Sequence, residues 1–109
     1  MSKAAYWQRG EAIDFTNNTG AAIEANEIVV FGSHVGVAGA PIAKGETGSL
    51  HVNGVFEMPK KEQEEIAAGV DVYYSAAGIT ATAEGNTKAG YAIQAAGATD
   101  ETVKVKLLG

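Results

Sequence analysis

Between Gly48 and Met58 the even positions read Leu50, Val52, Gly54, Phe56 and Met58, while the odd ones read Ser49, His51, Asn53, Val55 and Glu57. A period of two with one apolar face marks a half-buried strand. Asn53-Gly54 is by composition a hairpin signal, but the alternation crosses it without a change of parity. The segment is therefore read as one long strand with a bulge or close backbone approach at Gly54. Residues 102–108 alternate as cleanly, with Val103, Val105 and Leu107 opposite Lys104 and Lys106. Shorter runs fill the rest: residues 12–15, then 27–31 and 34–37 joined as a hairpin through Gly32-Ser33, then 70–74. A turn at Ala77-Gly78 leads to residues 79–82, and residues 90–94 follow. Short strands at close intervals, separated by Gly, Asn, Ser or Pro, predict a sandwich or barrel.

One segment departs from this pattern. After Pro59, residues 60–68 have helical propensity and stop at Gly69, which predicts a short helix or an ordered loop near residues 61–68. No internal repeat at a fixed period and no heptad pattern is present. The small-residue stretches Ala38-Gly39-Ala40-Pro41 and Ala95-Ala96-Gly97-Ala98 are too short to link domains. With 109 residues the chain falls in the single-domain range. The expectation is mainly β: a single compact barrel-like or sandwich-like domain over residues 11–109, preceded by an N-terminal arm or edge segment over residues 1–10.

Composition refines the picture. Apolar residues make up 46% of the chain, but 20 residues are alanine, so large apolar side chains are few, and 14 glycines suit tight turns. Eight Lys and Arg against thirteen Asp and Glu give a net charge of −5, which argues against a grip on nucleic acid phosphates. The absence of cysteine removes disulfides, thiol catalysis and Cys-bound zinc, and fits synthesis in a reducing cytoplasm. No apolar run has signal-peptide or membrane-spanning length, so neither secretion by a cleaved leader nor membrane association is expected.

Candidate chemistry is sparse. No Gly-Lys dipeptide, Gly-x-Gly-x-x-Gly or Gly-x-Ser-x-Gly occurs, so phosphate loop, dinucleotide fingerprint and nucleophile elbow are missing. Ser33-His34 and Ser49 with His51 place hydroxyl near imidazole, yet adjacent strand residues point to opposite faces, and no ligand cluster accompanies the histidines. Glu62, Glu64 and Glu65 beside Lys60-Lys61 read as a solvated helix face. No enzyme activity, cofactor, metal or small-molecule substrate is expected. Tyr6-Trp7 carries the only tryptophan in a terminal segment: it either covers one end of the core or docks on a neighbouring subunit, since Trp and Tyr are enriched at interface hot spots. Tyr73-Tyr74 lie on opposite faces of one strand, so at least one is expected to point outward.

The succession of motifs carries a resemblance. Tyr6-Trp7-Gln8-Arg9-Gly10-Glu11-Ala12-Ile13-Asp14, Val35-Gly36-Val37-Ala38, Gly54-Val55-Phe56-Glu57-Met58-Pro59-Lys60, Ala68-Gly69-Val70-Asp71-Val72-Tyr73-Tyr74, Gly85-Asn86-Thr87-Lys88-Ala89-Gly90-Tyr91-Ala92 and Val103-Lys104-Val105-Lys106-Leu107 follow one another. In this order they resemble the phage capsid cement, or head decoration, family across essentially the whole chain. Some members carry the label phage recombinase, which the residues here do not support, since nucleotide-driven strand exchange has no phosphate loop to work with. Two departures are the charged run of residues 60–65 in place of a small-residue loop, and Tyr74 where the family commonly has tryptophan. The resemblance implies a fold akin to the β-tulip of head decoration proteins. It implies a subunit that binds the major capsid protein on the exterior of an assembled head, commonly as a homotrimer at local threefold positions, after synthesis in the bacterial host cytoplasm. Candidate interface residues are Tyr6, Trp7, Arg9, Tyr73 and Tyr74. The alternative is a carbohydrate- or cell-surface-binding β-module of a phage particle.

Overall fold

A computed structural model describes residues 2–108. Nine strands form among them and no helix: β1 (Ala12–Thr16), β2 (Ile28–Phe31), β3 (His34–Ala38), β4 (Thr47–His51), β5 (Asn53–Pro59), β6 (Asp71–Ser75), β7 (Gly78–Thr80), β8 (Thr87–Ala92) and β9 (Thr102–Leu108). They make two antiparallel sheets, ordered β1-β4-β3-β2 and β5-β9-β8-β6-β7. The fold is mainly β, barrel-like and sandwich-like as expected. The closing strand spans the residues its alternation predicts, and β2 and β3 pair as a hairpin across Gly32-Ser33.

The long alternating run is divided. β4 belongs to the first sheet and β5 to the second, with Val52 between them, buried and donating its amide to the Glu11 carbonyl at 3.0 Å. Parity survives the crossing: Leu50 enters one apolar cluster, Phe56 and Met58 the other. Gly54 takes a left-handed φ of 112°, its amide bound by the Asn53 side-chain oxygen at 2.8 Å, and so bends the chain just after the crossing.

The two sheets repeat one plan. β1, β2, β3 and β4 match β5, β6, β8 and β9 in order and pairing, leaving β7 unmatched. The backbone bonds between elements match too. Ile23 and Ile42 exchange two bonds of 2.9 Å, and Ile66 and Ala96 exchange bonds of 2.9 and 2.8 Å. The Asn26 amide donates to Ala38 and the Gly69 amide to Ala92, each from a left-handed turn residue (φ 68° and 83°). The Asn17 amide donates to Glu46 and the Lys60 amide to Glu101, both at 2.8 Å. Ile23 and Ile66 stand 43 residues apart, whereas Ile42 and Ala96 stand 54 apart. The eleven-residue difference is the insertion that holds β7, and it is why no fixed period is visible in the sequence.

Each sheet wraps its own apolar cluster. The smaller holds Ile23, Val29, Ala38, Ile42 and Leu50, flanked by Ile13, Phe15 and Phe31; the larger includes Met58, Ile66, Val72, Ile79, Val105 and Leu107. Val35 and Val37, on the other face of β3, join the larger cluster, so β3 is buried on both sides and packs against β8.

Residues 61–68 form the ordered loop, not the helix. Lys60 pairs in parallel with Ile79, the Lys61 amide donates to Ile79 at 2.9 Å, Gln63 adopts φ 61°, and Ile66 is held by Ala96. An isolated helix of two turns is marginal, and these pairings displace it. Two polar side chains are buried at matching points. Asn17 donates to the carbonyls of Ala21 (2.8 Å) and Ile42 (3.0 Å), and Lys60 Nζ to those of Lys61 (2.9 Å) and Glu64 (2.5 Å). Glu64, instead of facing solvent, accepts from the Thr80 hydroxyl and the Ala81 amide, both at 2.7 Å, and pins the end of β7.

Burial alone would raise the Glu64 carboxyl. The Ala81 amide and Thr80 hydroxyl, helped by the charges of Lys61 and Lys60, outweigh it and hold the group below its ordinary value. A carboxyl held low in the folded state adds stability that is present above its unfolded value and lost as pH falls through the folded one. Glu64→Gln is expected to destabilise the protein by about 0.5–1.5 kcal/mol at neutral pH, since the carboxylate is only partly shielded from water. Urea titrations should show the gap from the native chain narrowing as the pH drops through the carboxylate range. The matched glycines give a second test. A Cβ on Gly36 would lie 2.6 Å from Leu50 Cγ, a side-chain atom, whereas one on Gly90 would lie 1.8 Å from the Lys106 carbonyl oxygen. Gly36→Ala is expected to cost about 1–3 kcal/mol, and Gly90→Ala more, because β8 and β9 must part to admit it; unfolding midpoints compare the two.

Candidate interface

Residues 2–10 precede β1 with no regular secondary structure, and each is exposed. Tyr6 is 84% and Trp7 85% exposed, and neither joins an aromatic pair or either apolar cluster. Of the two readings of Tyr6-Trp7, covering the end of the core does not occur in this chain by itself. The segment therefore presents two large rings with no partner inside the subunit. Arg9 lies exposed in the same segment. Lys3 and Arg9 are its only charged residues before Glu11, so it is locally basic in an acidic protein.

Tyr73 and Tyr74 lie elsewhere. Both are on β6, half-buried, and they separate as adjacent strand residues must. Tyr74 packs against the larger apolar cluster, while Tyr73 turns to the other face, paired in register with Thr80 and Lys88. Nearby, Lys88 Nζ approaches Asp71 at 3.5 Å in an exposed ion pair. The two tyrosines therefore form no joint outward platform.

The histidines are also apart in role. His34 is exposed, with its ring 5.9 Å from that of Phe31, beside a depression of about 160 Å³ lined by Ser33, Val35, Lys88, Ala89 and Leu108. No carboxylate lines it. His51 is half-buried, 6.2 Å from the Phe56 ring. Ser49 and Ser33 make no side-chain hydrogen bond to either. Among the described residues no group of three His, Cys, Asp or Glu is arranged to hold a metal ion, and no helix is long and apolar enough to cross a membrane.

Sequence reasoning passed over Lys60 and Glu64 as a solvated run and gave no weight to Asn17. The one legible signal for Asn17 and Lys60 was position, each standing just after a strand and ahead of a bridge isoleucine, and it gains meaning only once the two halves are aligned; Glu64 carried none.

The model of one protein family, described as phage cement protein, matches residues 7–107. No curated protein and no solved structure matches significantly. The matched span runs from the exposed tryptophan of the leading segment, through both copies of the four-strand plan and the β7 insertion, into the closing strand; over that whole length the chain belongs to the phage cement protein family.

Proposed function

We propose that this protein is a non-enzymatic decoration subunit that binds the exterior of an assembled phage head and stabilises it through contact with the major capsid protein. The family match over residues 7–107 carries the reading. A shell-stabilising protein needs no bond-making group. It needs contact area, an oligomer that closes by symmetry, and selectivity for the mature lattice, which it then favours by mass action. A homotrimer seated at local threefold positions meets those needs. In this reading residues 1–10 are the arm, residues 11–109 the folded β domain, and the subunit is made in the host cytoplasm before it joins the virion.

The fold supports the reading in two ways. Tyr6 and Trp7 are free to reach a neighbour, and the polar groups Asn17 and Lys60 are consumed by internal carbonyls, so the outer surface alone meets partners. The carbohydrate-binding alternative drew on outward aromatic residues at Tyr73 or Tyr74. With Tyr74 packed on the core, only Tyr73 is left to it, and it is half-buried.

Purified protein added to mature heads lacking it is expected to bind at a fixed number of sites per head and to raise their resistance to heat. Failure to bind such heads would end this reading. Trp7→Ala is expected to weaken binding by about 2 kcal/mol, roughly thirtyfold, as for an interface hot spot. Its far-ultraviolet circular dichroism should match the native chain's, because Trp7 packs against nothing within the subunit.

A further inference from the structure

The two sheets share a plan and differ at one edge. In the second, β7 lies along the outer side of β6, with Tyr73 paired to Thr80, and its Ile79 touches Lys60 beyond β5, so the sheet's two edges meet. The insertion that supplies β7 is missing from the first half. Among the described residues β2, which matches β6, pairs with β3 alone.

Register fixes which groups this leaves over. The Ala38 amide donates to the Glu27 carbonyl at 3.0 Å. Bonded and non-bonded pairs alternate along an antiparallel ladder, so Val29 with Gly36 and Phe31 with His34 are the bonded pairs of the hairpin. The amides and carbonyls of Ile28 and Val30 therefore point away from β3. Val30, 41% exposed, holds the place that Tyr73 holds in the second sheet. Beside it runs a groove of about 190 Å³ lined by Thr19, Ala21, Ile23, Glu27, Ile28 and Val30. It lies between β2 and the segment after Asn17. Between β6 and the segment after Lys60, β7 fills the same position, held by the Lys61 amide and by Glu64.

We infer that this groove takes the N-terminal segment of a second copy of the chain, added as a strand on β2. An extended peptide pairing with an open sheet edge gains main-chain hydrogen bonds for affinity and side-chain pockets for specificity. Among the described residues, 2–10 pair with no strand; adjacent strand residues face opposite sides, so one ring of Tyr6-Trp7 turns to the groove, and the register inferred is the one that puts Trp7, the larger, there. Charge agrees: Lys3 and Arg9 meet Glu27, exposed on the groove's lining, and the exposed Glu24 whose amide donates to the Glu27 carboxylate at 2.8 Å.

The strand comes from a neighbour, not from the same chain. The segment leaves the sheet at Glu11, next to β1, on the edge opposite β2. Reaching the outer side of β2 means crossing four interstrand spacings, about 19 Å, while nine extended residues span at most about 30 Å. A self-folded segment would spend Tyr6-Trp7 on the crossing and bring only its first residues to β2. A neighbour's segment meets no such crossing. One subunit giving a strand and the next receiving it is a heterologous contact, which closes into a ring when repeated about a rotation axis. The inference does not depend on the capsid reading, since it concerns the purified protein with no shell present.

The test uses the lone tryptophan as its reporter. Val30→Pro deletes an outward amide, a change that edge strands tolerate; deletion of residues 2–8 removes the donor and touches no packed residue. Light scattering after size exclusion should find a closed oligomer for the native chain and monomers for both variants, with self-association weaker by about tenfold or more, the worth of at least one interstrand hydrogen bond. Trp7 emission should shift to the blue as the native protein is concentrated, and stay water-like in Val30→Pro. Circular dichroism matching the native spectrum shows that each variant folds. If the deletion variant keeps the native oligomer, the inference is wrong. It is equally overturned if Trp7 stays water-exposed in the oligomer, if its blue shift persists in a monomer, or if the native chain is monomeric and uses β2 only on added capsids.

Discussion

Strand β3 is buried on both faces, and the rest of the molecule is arranged around that burial. Gly36 and Ala38 turn to the smaller cluster, where their lack of bulk lets Leu50 close against the sheet. Val35 and Val37 turn to the larger one. Burying each valine is worth about 1.5–3 kcal/mol. A four-stranded unit rich in alanine and glycine encloses too little apolar surface to hold alone. By giving one of its faces to the second sheet, the first gains a partner, and the larger cluster gains a wall.

Both sheets solve the same local problem in the same way. In each half the two long loops, one after its leading strand and one before its last, are tied to each other by a pair of reciprocal bonds, Ile23 with Ile42 and Ile66 with Ala96. Each leading strand ends in a buried polar side chain that caps loop carbonyls. Asn17 does this with an amide and Lys60 with an ammonium, the second being the costlier group to bury. The insertion of β7 then sets the halves apart. It closes one sheet upon itself and brings Glu64 into the structure, while the first sheet keeps an open edge. Open edges are liabilities that proteins usually blunt, and here one stays open while the rings of the leading segment go uncovered within the subunit.

This economy accords with a cement protein. Its internal polar groups are satisfied within the subunit, leaving no buried side-chain nitrogen or oxygen unpaired among the described residues. What remains to act on the outside is shape, edge and exposed ring.

Much of the fold was legible in the residues. The alternation of Val103, Val105 and Leu107 against Lys104 and Lys106 determined a strand and its buried face, and Gly32-Ser33 between two β-branched runs determined a hairpin. The motif order, with Tyr6-Trp7 at its head, carried the family. Other features rest on partners distant in sequence, which no local pattern encodes. A period of two says which side of residues 48–58 is apolar but not that the side faces two different cores, so the crossing at Val52 was decided by the pairing of β4 with β1 and β5 with β9. Helical propensity in residues 60–68 gave way to bridges with Ile79 and Ala96, because short helices gain less from local bonds than these residues gain from tertiary ones. The duplication was hidden since eleven inserted residues shift its offset midway. The sequence by itself thus determined strands, faces and family; the tertiary structure alone decided which strands share a sheet and which edge is left open, because hydrogen-bond partners across a sheet are chosen by three-dimensional closure and not by neighbours along the chain.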